Sequence, residues 1–298
     1  IIYMNIKDIS GYSLDENLVC IQVSGEDTEK FLQGQFSNDI SKVSEKNYQY
    51  SSYSTNQGKV ISIFRIIKQE KDYLLLVNEK IADYFIEKLS MYILMSKVKI
   101  NILNDFKVYG VIGKIAERIL SNNQIKDNMY LQSTNYFILN NNNKYLPAAI
   151  IITKKENIEA LEDFSNSSEI LNFNVNEFVD NLLLLPRITI LTKETYIPQV
   201  LCLEDLDGIN YKKGCYTGQE IVARTHYLGK IKKKLFLLKH TGPDVAIRDK
   251  IHNDDGEIVG EIFTPMQKID SVFLCLGIIN LDAIQNKIFT NQKELSLF

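Results

Sequence analysis

The first two thirds of the chain mixes short apolar runs with segments of helical periodicity. Apolar or alternating runs predict strands over residues 18–24, 48–54, 60–67, 72–77, 98–103, 108–112, 136–139 and 145–152. Helical spacing of apolar residues predicts helices over residues 26–33, 80–94, 114–120, 158–164 and 175–184. Strands and helices mixed in this way are typical of an α+β domain.

The pattern changes after Gly229. Strands are predicted at residues 230–239, 245–252, 257–263, 271–279 and 294–298. Polar turns such as NDDG at residues 253–256 separate them. This predicts a small all-β domain, similar to a barrel, so we divide the chain into residues 1–229 and 230–298.

Composition excludes several classes of protein. Of the 298 residues, 45% are hydrophobic and 24% charged, and the net charge of −3 gives no overall attraction for nucleic acid. No apolar run reaches the roughly 18 residues needed to span a membrane, and the first residues do not resemble a signal peptide. The four cysteines are scattered without a CxxC pair, which predicts neither a disulfide framework nor a metal site and favours a cytoplasmic protein.

The segment at residues 211–224, YKKGCYTGQEIVAR, is the sharpest local feature of the chain. Gly214 and Gly218 permit tight backbone turns on either side of a cysteine. Thr217, followed three residues later by Glu220, matches a capping box and predicts a helix over residues 218–226.

Cys215 would then lie just before a helix N-terminus, beside Lys212 and Lys213. Both surroundings favour the thiolate, which is the form that acts as nucleophile, redox group or metal ligand. The alternative is a buried structural cysteine in a loop. Tyr216 either shields the thiol or is a packed aromatic residue.

The octapeptide KGCYTGQE closely resembles the signature of the YgfZ family. Further segments resemble the same family: VSGEDTEKFLQGQFSNDI at residues 23–40, NQGK at 56–59, SKV at 96–98 and IPQ at 197–199. The resemblance covers most of the first 230 residues, whereas the C-terminal region fits only in its general pattern.

The resemblance implies the fold of the glycine cleavage T protein, an aminomethyltransferase: two interlocked ferredoxin-like subdomains and a C-terminal β-barrel around a folate cavity. It implies tetrahydrofolate or a derivative as ligand. It also implies a role in assembling or repairing iron–sulfur clusters, including those of radical enzymes that thiolate tRNA. The signature residues carried over are Lys213, Gly214, Cys215, Tyr216, Gly218, Gln219 and Glu220, with Cys215 as the reactive thiol.

The chain departs from the family pattern where folate would bind. It has no tryptophan, and Leu18 and Leu183 stand where many members have one; leucine lacks the flat aromatic face. Thr189 stands where a glutamate would accept hydrogen bonds from the pterin, and a hydroxyl makes a weaker contact.

The remaining candidates for a folate site are polar. Lys59 and Arg65 could attract the glutamyl tail or could be ordinary solvated cations. Arg187 either lines the entrance or ends a core helix. Arg224 and Gln219 could reach ring atoms, and the IPQ segment adds a further candidate, Gln199.

Three functions stay open. In the first, Cys215 supports iron–sulfur chemistry; because a cluster usually needs about four ligands, it would be shared transiently with a partner, and Cys202 could help only if the fold brings it close. The second is a folate-dependent aminomethyltransferase, although residues 91–100 contain no acid for proton transfer. The third is a binding factor for tRNA or protein, in which KIKKK at residues 230–234 meets phosphate, unless it is a solvated strand edge.

Overall fold

The computed structural model describes residues 6–154, 169–240, 242, 245–269 and 272–298. The helix predicted at residues 158–164 lies outside these residues. The five α-helices within them are α1 Thr28–Gln33, α2 Glu79–Ser90, α3 Lys114–Asn122, α4 Val175–Leu182 and α5 Gln219–Leu228.

Ten strands precede the last two helices. They are β1 Gly11–Leu14, β2 Leu18–Ser24, β3 Gln49–Ser54, β4 Val60–Gln69, β5 Asp72–Asn78, β6 Lys99–Ile102, β7 Phe106–Ile112, β8 Tyr130–Gln132, β9 Tyr136–Asn140 and β10 Ala148–Lys154. Seven follow: β11 Lys233–His240, β12 Lys250–Asn253, β13 Ile258–Ile262, β14 Gln267–Ile269, β15 Val272–Asn280, β16 Ile288–Thr290 and β17 Lys293–Leu297.

The first sheet has the strand order β3-β4-β5-β2-β6 and packs against α1 and α2. Without the additional edge strand β3, this is the strand–helix–strand–strand–helix–strand order of a ferredoxin-like unit. Both faces are buried: Leu74 and Leu76 of β5 face the centre of the molecule, whereas Leu75 and Val77 face the helices. This explains why the strand is apolar throughout rather than alternating.

The second sheet has the order β1-β7-β10-β9-β8 and carries α3 on one face. Its outer strand, β1, comes from the N-terminus and pairs with β7 across the whole first unit in sequence. The second ferredoxin-like unit is therefore completed by a strand that precedes the first, which interlocks the two. This confirms the predicted α+β fold with interlocked subdomains.

The C-terminal sheet closes into a barrel, as predicted. Six strands follow one another as β11-β17-β16-β12-β13-β15, and β15 pairs again with β11; β14 adds a hairpin to β15. The largest buried cluster includes residues from both sheets, from α4 and from the barrel. The division of the chain at residue 229 stays a prediction.

Some elements differ from the prediction. Helix α2 ends at Ser90 rather than at residue 94, because the N–H groups of Tyr92 and Ile93 donate to carbonyls three rather than four residues earlier; Leu94 then has a positive φ of 41°. The strand predicted at residues 245–252 begins only at Lys250. Four short strands were not predicted: β1, β8, β14 and β16. Within the described ranges, no helix is long and apolar enough to cross a membrane.

Candidate functional site

Cys215 is the only exposed cysteine of the four. Cys20, Cys202 and Cys275 are at most 2% exposed. Burial raises the pKa of Cys20 and of Cys275 to about 12 and that of Cys202 to about 11, so these thiols stay protonated. The exposed position of Cys215 favours a reactive over a structural cysteine.

Cys215 lies in a loop, residues 210–218, which we call the thiol loop. It rests on residues 33–38, which run from the last residue of helix α1 into the turn after it and which we call the supporting segment. The backbone N–H of Asn210 donates to the Ser37 carbonyl at 2.9 Å, and that of Thr217 donates to the Gly34 carbonyl at 3.2 Å. The loop is thus tied down on both sides of the thiol.

The predicted capping box is wrong. The hydroxyl of Thr217 donates to Gln35 Oε1 at 3.0 Å, and the N-cap of α5 is Gly218, which has no side chain to bond the helix. Gly218 has a φ of 82°, and a Cβ there would lie 2.5 Å from the Thr55 carbonyl oxygen. The turn at residues 55–58 therefore packs directly against the start of α5, which only glycine permits.

Lys213 turns inward and does not lie beside the thiol as a free charge. Its ammonium donates to three backbone carbonyls, those of Gln33, Phe36 and Asn38, at 2.7–2.8 Å. Its Nζ also lies 5.1 Å from the centre of the Tyr216 ring. Lys212, next to it, is exposed.

The other signature residues divide into buried and open positions. Tyr216 is 8% exposed, so it packs under the loop rather than covering the thiol from outside. Its hydroxyl is buried without a partner among the described residues, and burial raises its pKa. Gln219 begins α5 and is half-buried, while Glu220 and Gly214 are exposed.

The far side of α5 is held by Gln199. Its Nε2 donates to the Val222 carbonyl at 2.6 Å and to the Tyr211 hydroxyl at 3.1 Å. The Tyr211 ring in turn stacks on His226 at 3.8 Å, and His226 Nδ1 lies 2.9 Å from Glu204 Oε1. Gln199, predicted for a folate site, instead braces the helix that follows the thiol loop.

Of the three arginines predicted for the folate site, Arg224 is exposed, whereas Arg187 and Arg65 are bound by the chain's own carboxylates. Arg187 binds Asp15 through two nitrogens, at 3.1 and 2.7 Å, and Asp180 through Nε at 2.9 Å. Arg65, 3% exposed, donates to Asp180 at 2.7 Å and to Asn141 at 2.9 Å. Arg65 is therefore not a solvated surface cation, and its guanidinium already has a carboxylate partner.

Asp15 stays ionised within this ion network. Burial alone would raise its pKa, but the Arg187 guanidinium and two further hydrogen bonds, from Asn174 and Asn17, hold the pKa below the ordinary 3.8. The network joins the end of β1, helix α4 and strand β4. It therefore fastens the two subdomains to each other.

The residues present do not fit the predicted tetrahydrofolate site. Leu18 borders a cavity of only about 170 Å³, below the 300 Å³ or more of most ligand pockets. Leu183 ends α4 and packs on the central core, and the Thr189 hydroxyl lies 3.3 Å from that of Thr192. Lys59 lies in the turn before β4. Arg65 and Arg187 are both neutralised by internal carboxylates, so neither is available to bind the glutamyl tail.

Cys202 does not join Cys215. Its thiol donates to the Leu235 carbonyl at 3.5 Å inside the core beneath the barrel. In the part of the chain that the structure describes, no three His, Cys, Asp or Glu side chains are placed to hold a metal ion. A metal or cluster at Cys215 would need ligands from another molecule.

Sequence reasoning missed the supporting segment. Residues 33–38 were part of the quoted resemblance, but nothing in their local pattern indicates that they contact residues 180 positions later. A pair of glycines signals a different contact, that of the turn at residues 55–58 with the start of α5. Gly58 and Gly218 each have a positive φ, at 71° and 82°, and they lie against each other.

No protein-family model matches the chain. Several curated proteins are similar to the chain in sequence. The tRNA-modifying protein YgfZ of Colwellia psychrerythraea is 33% identical over 228 residues, which are 73% of this chain and 68% of that protein. The proteins of the same name from Vibrio vulnificus and an Enterobacter species are 29% and 27% identical, covering 77% and 90% of this chain and 70% and 84% of their own lengths.

One solved structure is similar over nearly the whole chain. It is the glycine cleavage system aminomethyltransferase T from Bartonella henselae, with a TM-score of 0.75 and 14% identity over 99% of this chain and 86% of that one. At this identity the likeness shows the fold alone.

Proposed function

The chain belongs to the YgfZ family of tRNA-modifying proteins, and from that premise we propose that it supports tRNA modification by iron–sulfur enzymes through transient chemistry at Cys215. One observation carries the proposal: of four cysteines, a single thiol is displayed at the surface, on a loop that the supporting segment holds from beneath. A thiol meant only for packing would be buried, as the other three are.

The chemistry available to one exposed thiol is limited. Thiolate sulfur is the usual ligand of iron–sulfur clusters, but one thiolate is too few to hold a cluster. Cys215 would therefore serve as one ligand to a cluster that a partner enzyme carries, releasing its proton to solvent. The partner would be an iron–sulfur enzyme such as a radical tRNA-thiolating enzyme, and the protein would act in the cytoplasm.

The proposed function does not require tetrahydrofolate, because the residues at the predicted folate site do not fit that ligand. It also requires no aminomethyl transfer. Its test is an assay in vitro: a purified iron–sulfur tRNA-thiolating enzyme is depleted of its cluster and reactivated with iron, sulfide and the protein. Wild-type protein is expected to raise the recovered activity, and Cys215→Ser to abolish that gain.

The matched control is Cys275→Ala, in which a buried thiol of the barrel is removed and Cys215 is kept. It should reactivate the enzyme as wild type does. Equal reactivation by wild type and Cys215→Ser would rule out the thiol as the working group. The protein would then act, if at all, as a binding factor.

Direct contact with tRNA is a second candidate function. A surface that we call the basic ridge runs from the end of α5 to the start of β11 and consists of Arg224, Tyr227, Lys230, Lys232 and Lys233. Within the described residues its four cations form no ion pair, and Tyr227 is 65% exposed. Cations that track phosphates beside an exposed aromatic ring that can stack on a base are the features of a single-stranded nucleic-acid site.

The ridge is tested by titrating unmodified tRNA against the protein at several salt concentrations. Lys232→Glu with Lys233→Glu should weaken binding and flatten its salt dependence. The control pair, Lys46→Glu with Lys114→Glu, makes the same charge change at exposed lysines elsewhere. An equal loss of tRNA affinity in both double variants would mean that overall charge, and not the basic ridge, determines binding.

A further inference from the structure

Lys213 lies two residues before Cys215 and is the buried member of a lysine pair. It is 9% exposed, while Lys212 is exposed. A lysine ammonium has three N–H donors and no acceptor. The three backbone carbonyls of Gln33, Phe36 and Asn38, each 2.7–2.8 Å from Nζ, match those three donors.

The three carbonyls all belong to the supporting segment. Gln33 is the last residue of α1, and its carbonyl is one of those that a helix leaves without a partner at its C-terminal end. Buried carbonyls without donors are unfavourable. The ammonium of Lys213 therefore provides hydrogen-bond donors for the carbonyls of the turn after α1. It also links that turn to the thiol loop, two residues before Cys215.

The Lys213 contact lies between two backbone hydrogen bonds that hold the ends of the thiol loop. Asn210 and Thr217 hold the two ends of the thiol loop through backbone bonds to Ser37 and Gly34. Between them, Gly214 has no atom other than those of its own chain neighbours within 4 Å of the place where a side chain would begin. The Lys213 side chain thus anchors the stretch that carries Cys215 from its interior side.

We infer that Lys213 is a positioning residue: its buried ammonium, held by three carbonyls, fixes the thiol loop so that Cys215 is presented to a partner in one orientation. The sequence predicts that the charge of this lysine favours the thiolate of Cys215. In the structure its ammonium is instead hydrogen-bonded to the three carbonyls. The inference rests on the proposed function only for the use that a partner makes of the thiol.

The charge of Lys213 is sensitive to pH. Burial lowers the pKa of Lys213 to about 8, and the Asp39 carboxylate acts in the opposite direction. The other titratable group facing it is Tyr216, through its ring. A neutral amine has two N–H donors for three carbonyls, so we expect the loop to loosen as the pH rises through this value.

The experiment uses the full chain with a nitroxide spin label on Cys215, the single exposed thiol. Electron paramagnetic resonance should show an immobile label in wild type and a mobile one in Lys213→Met, which keeps the length and removes the donors. Lys212→Met is the matched control and should leave the label immobile. Hydrogen exchange at the Thr217 amide should speed up at least about tenfold, since bonds to a charged group are lost.

Lys213→Arg tests the geometry of the contact. Three carbonyls around one nitrogen suit a compact ammonium and not a planar guanidinium, so this variant should also release the label. An immobile label in Lys213→Met, or a label released equally by Lys212→Met, would overturn the inference. An immobile label in Lys213→Arg would also overturn the inference, because any positive charge at this position would then hold the loop.

If Lys213→Met does not fold, the wild-type protein decides the question by pH. Between pH 7 and 10 the label should become mobile while circular dichroism stays unchanged. A label that stays immobile throughout would overturn the inference. These measurements need no partner, so they are independent of whether Cys215→Ser abolishes enzyme reactivation, and the two proposals fail separately.

Discussion

Replacing Asp180 with asparagine should destabilise the protein severely. Asp180 is 2% exposed and accepts hydrogen bonds from Arg65 and Arg187, at 2.7 and 2.9 Å. Asparagine keeps the shape but removes the negative charge from between two buried guanidinium groups. Breaking a buried ion pair in this way costs about 3–5 kcal/mol.

The predicted loss is measurable by thermal unfolding. For a large single chain, ~1 kcal/mol corresponds to ~2 °C, so the expected fall in Tm is about 6–10 °C. Asp205→Asn is the control. It breaks the ion pair between Lys234 and Asp205, whose side chains are 36% and 53% exposed. The free energy of unfolding should fall by about 1 kcal/mol or less.

A double variant separates charge from packing. Arg65→Met combined with Asp180→Leu replaces the pair by apolar groups and leaves Arg187 bound to Asp15. It should be more stable than Asp180→Asn alone, because no charge is then stranded. A Tm for Asp180→Asn within the range of the Asp205→Asn control would refute the view that both arginines depend on internal carboxylates.

Three more predictions follow from the same contacts. Under native conditions a thiol reagent should modify one cysteine per chain, Cys215, and after unfolding all four; a second fast-reacting thiol would contradict the described burial. Gly218→Ala should lower the free energy of unfolding in urea by at least ~1–2 kcal/mol, because residue 218 has a positive φ and its new Cβ would lie 2.5 Å from the Thr55 carbonyl oxygen. Gly214→Ala should leave the free energy of unfolding unchanged, because its Cβ would meet no such neighbour. Calorimetric titration with tetrahydrofolate should show no saturable binding to the wild type; micromolar binding would mean that the site adapts around the bound arginines.

Much of the fold was accessible to sequence reasoning because apolar runs set the strands. In β5 every residue from Tyr73 to Val77 is buried, so the run itself marked the strand. Strand β1 was not accessible: its GYSL sequence is short and half polar, and it becomes a strand only by pairing with β7 almost 100 residues later. Such pairing is a tertiary effect that local propensity does not contain.

The candidate site shows the same limit. The turn at Gly218 and the helix that begins after it followed from the local pattern. The inward turn of Lys213 did not, because its three acceptors lie about 180 positions earlier in the chain. A capping box was predicted from Thr217 and Glu220, but the approach of Thr55 imposes a glycine N-cap instead.

Arg65 carried a signal that was not used. It stands inside the apolar run VISIFRII of β4, where a solvated cation is improbable by pattern alone. A buried arginine requires a carboxylate, and Asp180 lies among buried residues of α4. Considering the two together would have placed them in an ion pair rather than in a ligand site.

The most direct test of the central claim is made in cells that lack the protein. Wild type, Cys215→Ser and Cys275→Ala are supplied at equal abundance, and thiolated tRNA nucleosides are quantified by mass spectrometry. The account predicts normal levels with wild type and Cys275→Ala, and the level of the empty control with Cys215→Ser. Full restoration by Cys215→Ser would contradict it.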